Sequence, residues 1–501
     1  MTDLLIAGGL VIDGTGSARS PGSVAVQGDR IEGIVRAGEP EPNARRRIDV
    51  AGSVIAPGFV DVHDHSDISP FVDPWMESML RQGVTTVVVG NCGSSAYPSS
   101  GLAEMASWAG AGERELDLSW TSLAGYLERV DAARPASNVA TLVGHGALRQ
   151  QVMGADRRAP SVEELTAMRR LLAQGIEEGA VGLSTGLIYT PGIHASTDEV
   201  ADLASVMVGS GAVYASHIRG EGELVFDAVD ECVEIGRRAG VPSHVSHLKL
   251  ETSLAWDRAE ALLARIDAAR DRGDDVSADQ YPYTAWESGL ASLLPPWAAP
   301  ADLPRLLEVA DTRDRLIRAV GQGDHGWQSS VRGVGWDRLV IVEHAGSPEY
   351  TGRSIAEIAA SSGVEPVRSL FDLLIADPET SLIGHAMLEE DVRAIVARGD
   401  VMVATDGVAV SPTGPMGRFN VHPRYYGTFP RVLARYVREE GLLSLEAAIR
   451  KMTSLPAERF RLAGRGRIEA GAFADLVVLD PGRVQDRATF EAPHTFPDGI
   501  A

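Results

Sequence analysis

Residues 58–67 read GFVDVHDHSD, an apolar run entered through Pro57 and left through His63 and His65. Side chains alternate along a strand, so two histidines two positions apart point to the same side and can reach one ion. A His-x-His closing an apolar strand is a metal signal. The stretch becomes decisive because seven comparable runs follow it: GVTTVVVG, NVATLVGH, GAVGLSTG, VYASHIRG, SHVSHLK, DVSADQYPY and DVMVATDG. Helical periodicity separates them, as in SVEELTAMRRLLAQGIEEGA and VFDAVDECVEIGRRAG. Eight strands in βα rhythm predict an α/β protein with a (β/α)8 TIM-like barrel, whose active site gathers where the strands end.

Outside that rhythm the texture changes. Residues 1–56 hold short strand-like runs broken by turns, and the end of the chain, GRIEAGAFADLVVLDP, reads the same way. The expected organisation is a single small β domain from residues 1–56 plus 456–501, and a barrel over 57–455. Residues 287–345, with LLPPWAAPADLP and the extra apolar run RLVIVEHAG, are expected to form an insertion or lid beside the barrel mouth.

The formal net charge is −23, which argues against binding to nucleic acid or to an anionic membrane surface. No apolar run approaches a membrane span, and the first residues lack the pattern of a signal peptide, so a cytoplasmic protein acting on a small molecule is expected. Only two cysteines are present. Cys232 falls in an amphipathic helical pattern and reads as a small buried hydrophobe. Cationic residues are almost all arginine, and the only lysines are Lys249 and Lys451.

The strand ends, taken in order, carry His63 and His65, Cys92, His145, Ser184, His217, His247, Tyr281 and Asp406. His63, His65, His217 and His247 offer imidazoles from three strands, enough for one or two ions. Asp406 closes the last strand, where a carboxylate beside a metal can ligate it, orient water or carry a proton. His244 lies three residues before His247 and should face away. His145, His344 and His385 are left out of the metal set, His385 because a helix is expected to begin there.

The segments PGFVDVHDHSD, GVTTVVVGNCGSS, GLSTGLIYTPG, SHIRGEG, SHLK, DQYPYTA, ATDG, HPRYYGTFPRVLARY and GAFADLVVLDP resemble the amidohydrolase superfamily and, within it, the D-aminoacylase (N-acyl-D-amino-acid deacylase) family. The resemblance implies a (β/α)8 barrel with a small β-sandwich formed by the two termini, residues 1–56 plus 456–501, and zinc held tightly by Cys92, His217 and His247. It implies a second, weaker metal position at His63 and His65 that shares Cys92, whose thiolate fills the bridging role. It assigns proton transfer during water attack to Asp406, and the grip on a substrate carboxylate to Lys249, Tyr281 and Arg424. The loop GVAVSPTGPMGRFNVHPR, residues 407–424, is longer than usual for the family and makes Arg418 a rival to Arg424.

The activity so implied is hydrolysis of N-acyl-D-amino acids to a carboxylate and a free D-amino acid. Stereochemistry enters through the resemblance alone. In family members that prefer acidic substrates an extra arginine comes from the segment after strand seven. Here that segment, YPYTAWESGLASLLPPW, carries no Arg or Lys, so the resemblance favours neutral hydrophobic side chains, and Glu287 would repel an acidic one if it faces the pocket. The alternatives are a dihydropyrimidinase-like or dipeptidase-like hydrolase on the same scaffold and, remotely, a non-catalytic scaffold protein. The oligomeric state stays open.

Overall fold

The computed structural model describes residues 1–99, 101, 102, 105, 106, 116–418 and 420–501, apart from the side chains of Met416 and Arg418. All eight expected strands form: Phe59–Asp61, Val84–Val89, Asn138–Gly144, Gly182–Gly186, Val213–His217, Ser243–Val245, Val276–Gln280 and Val401–Val403. They pair in parallel in chain order, from the first to the eighth. A parallel bridge between Asp64 and Gly407 brings the two ends of the sheet together. Asp406 N donates to His63 O and His65 N to Gly407 O, both at 2.8 Å. Beneath them the buried Asp61 carboxylate accepts from Thr405 N at 3.1 Å and from Thr405 Oγ1 at 2.5 Å. The sheet is thus a nearly closed (β/α)8 barrel, and its closure falls at the ends of strands one and eight, where metal-capable residues sit.

Period-two alternation partitions the apolar residues. Val60, Val88, Leu142, Val213, Ala215, Met402 and Ala404 share one cluster, with Phe460 among them. Tyr214, Val245 and Val276 pack with the surrounding helices instead. Helices Val162–Glu177 and Val225–Ala239 lie where the sequence predicts them, and Cys232 is buried in the second. The first strand ends sooner than the alternation argument assumes: its ladder stops at Asp61, and Val62 belongs with the Val60 cluster. His63 and His65 turn toward the site because the chain leaves strand geometry there.

Between strands seven and eight lies a three-stranded antiparallel sheet, with Ser381–Gly384 flanked by Trp286–Gly289 and Leu339–Glu343. The elements that depart from the barrel rhythm therefore continue past residue 345 to Gly384. His385 follows this strand, and the next helix starts only at Glu389, so the expected helix start at His385 is corrected.

A separate six-stranded sheet joins the two ends of the chain. Thr2–Val11 pairs through its first half with Ala44–Asp49 and through its second with Val54–Pro57, whose far edge takes the C-terminal strand Leu476–Leu479. Among the described residues no helix is long and apolar enough to cross a membrane.

Candidate metal centre and substrate pocket

Cys92 is the hub of the site. Its Sγ lies 3.3 Å from His63 Nε2, 3.6 Å from His217 Nδ1 and 3.7 Å from His247 Nε2. The loop that carries it is held down on the barrel: Gly93 N donates to Ser184 Oγ at 3.0 Å, and Ser184 Oγ donates to Gly90 O. A side chain at Gly186 would place its Cβ 2.2 Å from Cys92 O, so only glycine admits this approach. Cys92, His247 and Asp406 all take positive φ, at 52°, 36° and 50°. Strained backbone of this kind concentrates at functional sites.

The cluster fits a metal ion. With zinc–sulfur near 2.3 Å and zinc–nitrogen near 2.0 Å, a tetrahedral site separates sulfur from nitrogen by about 3.5 Å, close to the Cys92–histidine distances. Ligand atoms of His63, Cys92, His247 and Asp406 all lie within 4.8 Å of one another, as do those of His217, Glu221 and His247. His65 stands at the rim of the first group, its Nε2 3.2 Å from Asp406 Oδ1.

Charge is arranged to match. Burial alone would push the Cys92 thiol up, but the imidazoles of His63, His217 and His247 outweigh it and hold it well below its ordinary value. Burial also opposes ionisation of Asp406, yet Arg424 with His247, His65 and His63 holds it well below the usual carboxylate range. His65 is raised to about 10 despite burial, chiefly by Asp406 and Cys92.

Above the cluster opens a cavity of about 1910 Å³. Arg424 is buried at its wall, with one guanidinium nitrogen 3.2 Å from Asp406 Oδ2. Its Nε and Nη1 have no hydrogen-bond partner among the described residues, nor does the hydroxyl of Tyr281, whose ring lies 4.8 Å from the Arg424 guanidinium carbon. Buried unpaired donors are costly, and these three line a cavity, so they are poised for an acceptor that enters it. Lys249 is engaged otherwise: its Nζ is 2.6 Å from Glu221 Oε1 and 2.8 Å from His247 Nδ1. The Arg418 side chain lies outside the described residues.

Two carboxylates absent from the sequence reading complete the site. Asp279, fully buried, accepts from His247 N at 2.8 Å and lies 2.7 Å from His244 Nε2 and 3.7 Å from His63 Nδ1. His244 therefore faces the barrel core. Asp279 lies two residues before Tyr281, so strand alternation from Tyr281 was the signal available for it. Glu221 follows His217 by four residues in a loop, where spacing carries no facial information. His145 pairs with Glu199 and stays apart from the metal group.

Fold and site together define a class: a (β/α)8 barrel with a thiolate–imidazole–carboxylate metal cluster at the C-terminal ends of its strands. The amidohydrolase family model matches residues 46–500, and the chain belongs to the amidohydrolase family, within its D-aminoacylase group. N-acyl-D-glutamate deacylase of Alcaligenes xylosoxydans xylosoxydans is 41% identical over 99% of this chain and 91% of the relative. D-aminoacylase of the same organism is 37% identical over 99% of this chain and 92% of its own. A crystal structure of N-acyl-D-glutamate deacylase from Bordetella bronchiseptica, complexed with zinc and a phosphonate mimic of the tetrahedral intermediate, matches with a TM-score of 0.83 at 37% identity, covering 100% of this chain and 94% of that one.

Proposed function

We propose that this chain is a zinc-dependent N-acyl-D-amino-acid deacylase, releasing a carboxylate and a free D-amino acid. The observation that carries the reading is the position of Asp406, with one oxygen toward His63 and His65 and the other toward Arg424. A single carboxylate thus stands between a metal cluster and a set of carboxylate-binding donors.

Cys92, His217 and His247 would hold the tight ion, with His63 and His65 sharing Cys92 at a weaker second position. When bound, zinc supplies polarisation of the acyl carbonyl and activation of water near neutral pH. Asp406, kept ionised by its cationic neighbours, takes the proton of the attacking water and returns it to the departing amine. The two unpaired Arg424 nitrogens and the Tyr281 hydroxyl receive the substrate carboxylate, and fork-like recognition of this kind suits arginine. Lys249 adds positive charge to the same corner, its Nζ 5.5 Å from the Tyr281 ring.

Neutral, hydrophobic side chains are the favoured substrates. Glu287 lines the cavity, and so do Val342, Ile383 and Phe490, which pack together with Ala285. An acidic substituent placed there meets a carboxylate and an apolar wall. The −23 net charge supports a small-molecule substrate in place of nucleic acid or an anionic membrane surface. The test is amine release from N-acetyl-D-leucine and N-acetyl-D-glutamate by zinc-loaded protein. Faster release from the leucine derivative is expected. Preference for the glutamate derivative would overturn the side-chain reading, and no release from any N-acetyl-D-amino acid would overturn the activity.

A further inference from the structure

Glu221 is buried behind the two imidazoles assigned to the tight ion. Its Oε1 lies 3.0 Å from His247 Nδ1, and its Oε2 stands 3.5 Å from His217 Nε2, a buried ring nitrogen with no hydrogen-bond partner among the described residues. The other nitrogen of each ring, His247 Nε2 and His217 Nδ1, is the one turned to Cys92. A neutral imidazole carries one N–H and one lone pair, and only the lone pair can ligate. An ionised carboxylate only accepts, so a proton on each nitrogen facing it is favoured, and both lone pairs are then left toward Cys92.

Lys249 makes this choice consequential. Its Nζ approaches His247 Nδ1 to 2.8 Å, and a lysine donating there would drive the imidazole proton onto Nε2, the nitrogen that must be free. With Glu221 accepting from Lys249 at 2.6 Å, and His247 O at 3.2 Å, the ammonium has other acceptors and the carboxylate keeps its charge.

We propose that Glu221 is a positioning residue that selects the metal-ligating tautomers of His217 and His247 and diverts Lys249 from His247. The inference rests on the zinc reading above, but it is measured without substrate. Glu221→Gln keeps the shape, yet its amide presents one acceptor and one donor, so it cannot accept from both rings.

Apo protein is titrated with zinc against a competing chelator for the wild type, Glu221→Gln and Glu221→Gln/Lys249→Met, with the apo melting temperature recorded beside each. Zinc affinity is expected to fall about 10- to 100-fold in the single variant. It should recover in part when Lys249 is also removed, with the apo melting temperature little changed. Wild-type affinity in Glu221→Gln overturns the proposal, as does a weakening that loss of Lys249 does not relieve. Should Glu221→Gln fail to fold, Glu221→Asp, with and without Lys249→Met, is read by the same criteria. A wild type that binds zinc but deacylates nothing refutes the proposed function while leaving this test intact, whereas a wild type that binds no zinc refutes both.

Discussion

Asp406 and Arg424 face each other across 3.2 Å, and the two side chains are expected to fail in different ways when altered. Asp406→Asn removes the proposed proton carrier and keeps the volume, so kcat should fall by about 10²- to 10⁴-fold while zinc content, read by metal analysis, persists. Arg424→Gln removes two buried donors and the positive charge. Its loss should cost about 2 kcal/mol of carboxylate binding, seen in steady-state kinetics as a KM increase of roughly 30-fold. An equal loss of kcat and retention of KM in Arg424→Gln would contradict the grip. At this scale the sequence was legible where a residue ends a strand. Cys92, His217, His247 and Asp406 were each singled out by strand position, and the fold places Cys92 Sγ within 3.7 Å of three imidazoles. Glu221 was not legible, because it sits in a loop and acquires its contacts only from rings that the fold brings to it.

Among the elements, Lys451 offers a test independent of the active site. It lies in helix Leu445–Met452, fully buried, and its ammonium donates to the carbonyl of Val396, the last residue of helix Glu389–Val396. A C-terminal helix carbonyl lacks an intrahelical partner, so this contact satisfies one. Burial pulls the amine down to about 7, against 10.5 for an ordinary lysine. Between those values the unfolded chain binds a proton that the native chain does not, so this group's contribution to stability rises as pH increases from about 7 toward about 10. In Lys451→Met, chemical denaturation across that range should lose this rise relative to the wild type. An unchanged pH slope would contradict it. The elements themselves followed from periodicity, but their limits did not. The strand before His63 stops at Asp61, where the His63 backbone N–H turns to the Asp61 carboxylate at 3.1 Å. The run LVIVE was visible as apolar, whereas its partner, Ser381–Gly384, and the strand beyond it, Trp286–Gly289, are distant in sequence and carry no local mark.

For the whole molecule, the barrel brings together side chains that lie hundreds of residues apart, and its closure by strands one and eight joins His63 and His65 to Asp406. The topology was readable because eight apolar runs recur in βα rhythm. The pairing of the C-terminal strand Leu476–Leu479 with Val54–Pro57 was suggested only by shared texture. The central claim is that one protein-held zinc and one oriented carboxylate grip act on the D series of N-acyl amino acids. It is tested most directly by measuring amine release from N-acetyl-D-leucine and N-acetyl-L-leucine with zinc-loaded protein, after chelation, and after zinc is returned. The expected result is hydrolysis of the D substrate, abolished by chelation and restored by zinc, with little release from the L substrate. Preference for the L substrate, or D-substrate hydrolysis that survives complete removal of the metal, would contradict the account.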